Sequence, residues 1–353
     1  GRVAAWRMSL NICRRPYAGW LSQLMLLAAV LLYAHAGAAE IRFENGFGLR
    51  NHNPFLQIFG LPTFESAWVT APGKPTLDIR FDLANHADAG QSAGERLVID
   101  GETYFLTIAY RARVREWLEL GFELPFVAHG DGFMDEGIEA WHELFGLSNS
   151  KRSGPGNELN FSYARDGRTL IELSSPASGV GDVRLTAAVP LQQREAPEHF
   201  RVSLRATLKL PTGDAARLLG SGAPDLALGV HSSDVIQVMH HGVIVSAFAG
   251  VQLLGDSDVL AALQRNTVPY GGVAATWQAT ERLGITAQLY LQGRYVRSEL
   301  EELGGKSYQL AVGGNYRPRG GRTILRFAMV EDVSSNATTD FALHFSAQWR
   351  GGL

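Results

Sequence analysis

The chain has 353 residues, 19% of them charged, with a net charge of −3, a balance that excludes the basic footprint of a nucleic-acid-binding domain. Its single cysteine, Cys13, excludes a disulfide framework or thiolate metal site further along. No apolar run of about 18 residues occurs, which excludes a transmembrane helix but not transmembrane strands, whose alternate residues are polar.

Arg14 and Arg15 precede an apolar run over 20–33, followed by small-x-small triplets at 34–36 and 36–38. This pattern predicts a secretory signal over 1–39, cleaved near Ala39, with residues 1–7 ahead of Met8 as an upstream extension. Cys13 stands before the apolar run and not at a lipoprotein cleavage position. Residues 40–75 are irregular and rich in Gly, Pro and Asn over 47–62. They are expected to form a periplasmic N-terminal segment or plug, with Asn51, His52 and Asn53 fixing turns.

From residue 76 to the end a period of two prevails, the mark of strands with two unlike faces. The stretch 201–213 shows it best. Val202, Leu204, Ala206, Leu208 and Leu210 alternate with Arg201, Ser203, Arg205, Thr207 and Lys209. Its length is close to the roughly 9–11 tilted residues that cross a bilayer as β-structure. Segments of this kind recur at 76–85, 103–114, 117–127, 180–191, 199–210, 223–232, 242–253, 270–279, 283–296, 307–317, 322–331 and 339–350. In the last, Phe341, Leu343, Phe345, Ala347 and Trp349 face outward, and His344 and Ser346 inward. The connections alternate short and long, as in barrels with short periplasmic turns and long outer loops. The predicted fold is therefore all-β: an antiparallel transmembrane β-barrel of about 12 strands over 76–353, with both mature termini periplasmic.

The largest outer loop, 128–179, carries two features. Ile138, Trp141, His142 and Phe145 recur at helical spacing within 133–147, which predicts a short helix. Residues 158–174 hold an Asp166-Gly167 pair between two strand-like runs, a hairpin signal. Asp100-Gly101 reads as a second turn, in the first outer loop.

The chain resembles a bacterial outer-membrane family known as domain of unknown function 3187. The resemblance is carried by Asn51-His-Asn-Pro-Phe55, Asp100-Gly-Glu-Thr103, Glu119-Leu-Gly-Phe-Glu-Leu-Pro125, Gly132-Phe133 and Glu139-Ala-Trp-His-Glu-Leu-Phe-Gly146. Gly179-Val-Gly-Asp182, Lys209-Leu-Pro-Thr-Gly213 and Ser221-Gly222 with Asp225-Leu226 complete it. It implies an outer-membrane barrel and supplies no activity, substrate or catalytic residue.

No constellation for catalysis is apparent. His142-Glu143 opens like a zinc-protease motif, but Gly146 stands where the second histidine belongs. His344 and Ser346 read as polar lumen residues and not as part of a hydrolase triad. No enzyme activity, cofactor or metal is expected. Candidate lumen-lining residues are Arg111, Arg113, Glu119, Glu123, Arg184, Arg201, Arg205, Lys209, Arg294, Arg317 and Arg326, in which basic groups outnumber acids. A water-filled lumen of that kind favours anions; the competing expectation is that the arginines pair with Glu119, Glu123, Asp182 and Asp340 in a closed interior. The leading functional expectation is a gated or plugged pore for small, anionic molecules. The alternatives are a barrel-anchored surface-binding or structural protein, with Phe133, Trp141, His142 and Phe145 as its outer-cap binding residues, and an outer-membrane lipid-modifying enzyme. Expected partners are outer-membrane lipid and lipopolysaccharide, the barrel assembly machinery and a small-molecule solute, with no nucleic acid.

Overall fold

A computed structural model describes residues 43, 46–132, 134, 158–193, 200–238, 241–319, 321–333 and 337–351. The predicted signal segment, the predicted helix over 133–147 and the cap candidates Phe133, Trp141, His142 and Phe145 lie outside the described residues.

The strands are β1 (Thr76–Gln91), β2 (Glu95–Arg115), β3 (Leu118–Gly130), β4 (Asn160–Arg165), β5 (Arg168–Leu173), β6 (Ala177–Val180), β7 (Arg184–Gln193) and β8 (Arg201–Lys209). They continue with β9 (Asp225–Val238), β10 (His241–Leu254), β11 (Thr267–Trp277), β12 (Leu283–Gln292), β13 (Ser307–Tyr316), β14 (Thr323–Asp332) and β15 (Phe341–Arg350). Of these 15, β4, β5 and β6 lie outside the ring, and the remaining 12 close an antiparallel barrel. β3 pairs directly with β7, and β15 returns to β1 in register from Thr76↔Arg350 to Asn85↔Phe341. Closure leaves the ring no free edge, so every wall strand satisfies its backbone without water. Each of the twelve predicted segments corresponds to one barrel strand.

The alternation in the sequence is the alternation of the wall. On β14, Ile324, Arg326, Ala328 and Val330 are buried while Leu325 and Phe327 are exposed. Phe81, Leu106, Phe126, Leu204, Leu228, Val273 and Phe345 continue the exposed apolar band around the ring. Trp117, Trp277 and Tyr316 are exposed near the short-turn end, where an aromatic girdle meets the lipid headgroups. Large side chains exposed all round a closed ring are the surface of a barrel that spans a membrane.

The long-loop end departs from expectation in one respect. Asp100-Gly101 is not a turn. β1 and β2 run on past it, paired out to Gln91↔Arg96, and the chain reverses at 92–94. Gly101 lies within β2 opposite His86 at φ 136°, where a Cβ would stand 2.9 Å from the Gly130 carbonyl oxygen. The Asp166-Gly167 turn is present, with φ of 51° and 74°, the left-handed pair that a two-residue hairpin requires. That hairpin does not lie free over the mouth. β4 pairs with the extension of β2, from Glu95↔Arg165 to Asp100↔Asn160, and so heightens the wall on one side. A single helical turn, Glu301–Gly304, sits in the long connection between β12 and β13.

Candidate functional site: a lumen filled by the N-terminal segment

Residues 43–70 have no period that would make them strand or helix, and Phe43 and residues 46–70 fill the barrel. Their contacts trace a loop up the lumen and back. Phe43 packs with Val235, Ile244 and Ile324 near the short-turn end. The Phe47 amide donates to Gln288 Oε1 (2.9 Å), and the Gly48 carbonyl accepts from Arg80. At the long-loop end Asn51 donates to the Ala337 carbonyl (2.8 Å) and Gln57 to that of Leu218 (2.6 Å). The chain then descends. Tyr290 donates its hydroxyl to the Pro62 carbonyl (2.6 Å), the Ala67 amide donates to Ser233 Oγ (2.9 Å), and the Thr70 amide donates to Glu119.

Phe43, Phe47, Phe55, Phe59 and Phe64 are all buried, each contributing about 1.5–3 kcal/mol relative to exposure. Phe59 stacks on Tyr295 at 5.1 Å and Phe64 meets Phe248 edge-on at 4.9 Å, so a wall of polar strands acquires its apolar core from the segment inside it. Asn51, His52 and Asn53, expected to fix turns, are buried; the Asn53 and Phe55 amides donate to Asn51 Oδ1 and Asn53 Oδ1 in turn. His52 Nε2 lies 3.6 Å from Asp82, and burial holds its imidazole below the ordinary value in spite of that carboxylate.

Two ionic clusters join segment to wall. In the lower one Glu65 bridges Arg111 on β2 and Arg205 on β8. Arg205 also reaches Glu119 (3.3 Å), and Arg111 reaches Glu123 (3.3 Å), which accepts a 2.6 Å bond from Arg80. Burial pushes the Glu65 carboxyl up, but Arg111 and Arg205 outweigh it and hold it below its ordinary range. In the upper cluster Lys209, fully buried, stands between Asp182 Oδ2 (2.7 Å) and Asp225 Oδ2 (3.0 Å) and donates also to Ser221 Oγ and to the Ile58 carbonyl (3.1 Å). Asp225 accepts in turn from the Gly60 amide (2.8 Å). Three stretches that carried the family resemblance, those with Asp182, Lys209 and Ser221–Asp225, thus meet at one point and clasp the segment.

The remaining lumen candidates are placed as follows. Arg184 is buried in the wall, one of the charges acting on Glu123. Arg326 is buried and donates to Gln348 (3.0 Å). Arg201, half-buried, begins β8. Arg113 and Arg317 bind turn carbonyls at the short-turn rim, those of Glu116 and Gly321. Arg294 does not line the lumen. It follows the end of β12, half exposed, 3.7 Å from Glu301. Reading the face of 76–85 would have added Arg80 and Asp82, and nothing periodic signals Glu65. His344 Nδ1 lies 2.6 Å from Asp82 Oδ1, but its Nε2 has no hydrogen-bond partner, so a serine relay through Ser346 is not assembled. Among the described residues no cluster suited to a metal is present.

No curated protein matches the sequence. Among solved structures, the COG4313 outer membrane channel from Pseudomonas putida F1 is similar in fold, with TM-score 0.50 and 14% identity over 80% of this chain and 97% of that one. The Ralstonia pickettii toluene transporter TbuX aligns over 90% of this chain and 96% of its own, with TM-score 0.37 and 11% identity. The family match runs over residues 22–350, nearly the whole barrel and the segment within it, and the chain belongs to the family described as Protein of unknown function (DUF3187).

Proposed function

We propose that this barrel is an outer-membrane channel for small anionic solutes, closed at rest by its own N-terminal segment. The observation that carries the reading is the seating of residues 46–70 in the lumen through two charge clusters, Glu65 with Arg111 and Arg205, and Lys209 with Asp182 and Asp225. A purely structural filling has no need of charges in a low-dielectric interior, where each costs desolvation. The wall itself supplies the selectivity. Around the lower cluster Arg80, Arg111, Arg184 and Arg205 stand with Asp78, Asp82, Glu119 and Glu123. Withdrawal of Glu65 leaves Arg111 and Arg205 short of their carboxylate partner, and cationic groups at a constriction favour anions. The described cavity beside Glu65 measures about 10 Å³, the room of a single water, so passage requires the segment to shift.

The test is single-channel recording of the refolded chain with and without residues 46–70. Little current from the full chain and anion-selective current from the deletion support the reading; a folded deletion that conducts nothing, or prefers cations, sinks it. A folded deletion that conducts nothing favours the second reading, a closed barrel that anchors outer loops, which the aromatic packing of the segment also suits.

A further inference from the structure

The Glu65 carboxylate is divided between two strands of the barrel wall. Oε1 accepts from Arg111 Nη2 on β2 and Oε2 from Arg205 Nη1 on β8. Both guanidinium groups are largely buried, at 13% and 10% exposure. Each has a longer contact of 3.3 Å to a wall acid, Glu123 or Glu119, and Arg205 also donates to the segment's Ser66 (3.2 Å) and Trp68 (2.6 Å) carbonyls. Beside Glu65 the small cavity is lined by Thr186, Thr207, His231 and Tyr270, groups with polar tips and apolar bodies. Two guanidinium groups on β2 and β8, with β3 and β7 between them in the wall, each serving one oxygen of a planar two-oxygen group, form a receptor for a carboxylate. The segment fills that receptor with its own side chain.

We propose that Arg111 and Arg205 form a carboxylate-binding site, which Glu65 occupies in the closed barrel and a solute's carboxylate takes over as the channel opens. This rests on the channel reading for its role in opening, though the site is testable without it. A monocarboxylate fits better than a phosphate, because Glu119 and Glu123 lie within 3.3 Å of the same arginines and repel a second negative charge. Glu65 is tethered, and a tethered group competes at an effective concentration of about millimolar. The exchange therefore answers to solute at millimolar levels and ignores traces.

The experiment uses the full mature chain folded in detergent micelles. Glu65→Ala vacates a carboxylate-sized space, and calorimetric titration with propionate is expected to give saturable binding. Propanamide, the neutral counterpart, is expected not to bind. Adding Arg205→Gln is expected to weaken propionate by about tenfold, the loss of one charge-assisted hydrogen bond. Should Glu65→Ala fail to fold, Glu65→Gln keeps the volume and removes the charge. Absence of propionate binding in the folded variant, or binding indifferent to Arg205→Gln, overturns the site. Phosphate binding as tightly as propionate overturns the assignment to carboxylates. Bilayer recordings on the same samples separate the two claims. Binding without current in any variant keeps the site and removes the channel. Wild-type current that rises with propionate and not with propanamide supports the exchange, and current that ignores propionate overturns it.

Discussion

Lys209→Met tests whether the upper cluster holds the segment. The ammonium is fully buried, and the carboxylates of Asp182 and Asp225 are 2% and 1% exposed. The substitution leaves both carboxylates facing one another without a cation, and removing one member of such a set costs about 3–5 kcal/mol. The Ile58 carbonyl loses its donor in the same step, so the damage falls on the segment as well as on the wall. Urea unfolding of the refolded barrel should show a stability loss of that size. Limited proteolysis should show cleavage within 46–70 where the wild type resists. The triple variant Lys209→Met/Asp182→Asn/Asp225→Asn removes the charges together, keeps acceptors for the Gly60 and Gly213 amides, and should recover most of the loss. A single variant within about 1 kcal/mol of wild type, or a triple variant no better than the single, would refute the reasoning.

Gly60→Ala should dislodge the top of the segment, because the new Cβ stands 2.9 Å from Lys209 Cβ and 3.0 Å from Asp225 Cβ, both fixed in wall strands; the expected readout is faster proteolysis of 46–70 with the barrel intact. Glu65, held below its ordinary 4.5, stabilises the closed state fully above that value and loses its contribution as pH falls through its lower folded value. The closed state should therefore be flat from pH 7 to about 5 and loosen in acid, with an acid step smaller in Glu65→Gln, measured as segment protection against pH. Phe327→Arg places a charge on the lipid face, where it costs about 2–4 kcal/mol at mid-membrane; folding yield into lipid vesicles should fall, while the same protein in detergent should keep its segment protected.

The twelve strands were legible because a membrane barrel imposes two solvents on one chain. Leu204 and Leu208 face lipid while Arg205 and Lys209 face inward, and this period of two, sustained over segments joined by alternately short and long connections, marks a membrane barrel. The ends were less legible for the same reason. Beyond the membrane, residues 86–91 and 95–102 of β1 and β2 have no lipid to face, so His86, Asp88 and Asp100 interrupt the pattern, and the extension read as a loop around Asp100-Gly101. Residues 43–70 carried no period at all. The conformation of residues 46–70 is dictated by a lumen that other residues build, and partners such as Glu65 and Arg205 stand 140 positions apart. The lumen arginines and the wall acids Glu119, Glu123 and Asp182 that meet them could be named from their faces, but Glu65, on a segment without a period, could not.

The barrel and its filling are stabilised by different means, and this bears on how the lumen opens. The wall is closed by backbone hydrogen bonds from strand to strand, which do not involve the segment, so the segment can yield without unfolding the ring. The segment is itself uneven. Its ascending half and apex are anchored by Phe47, Phe55 and Phe59, buried among wall aromatics and aliphatics, at a burial of several kcal/mol that solute binding does not match. The descending half, from Pro62 to Thr70, has Phe64 as its one deeply buried aromatic and is otherwise held mainly by polar contacts to Tyr290, Ser233, Glu119, Glu123, His231 and the two arginines. Hydrogen bonds and ion pairs of this kind are individually modest in net terms and are the ones an anion in water replaces. Local opening follows the least stable part of a structure. Movement of the descending half alone, with the aromatic anchor left in place, is the opening that the arrangement of these contacts makes cheapest, and it is the one that uncovers Arg111 and Arg205.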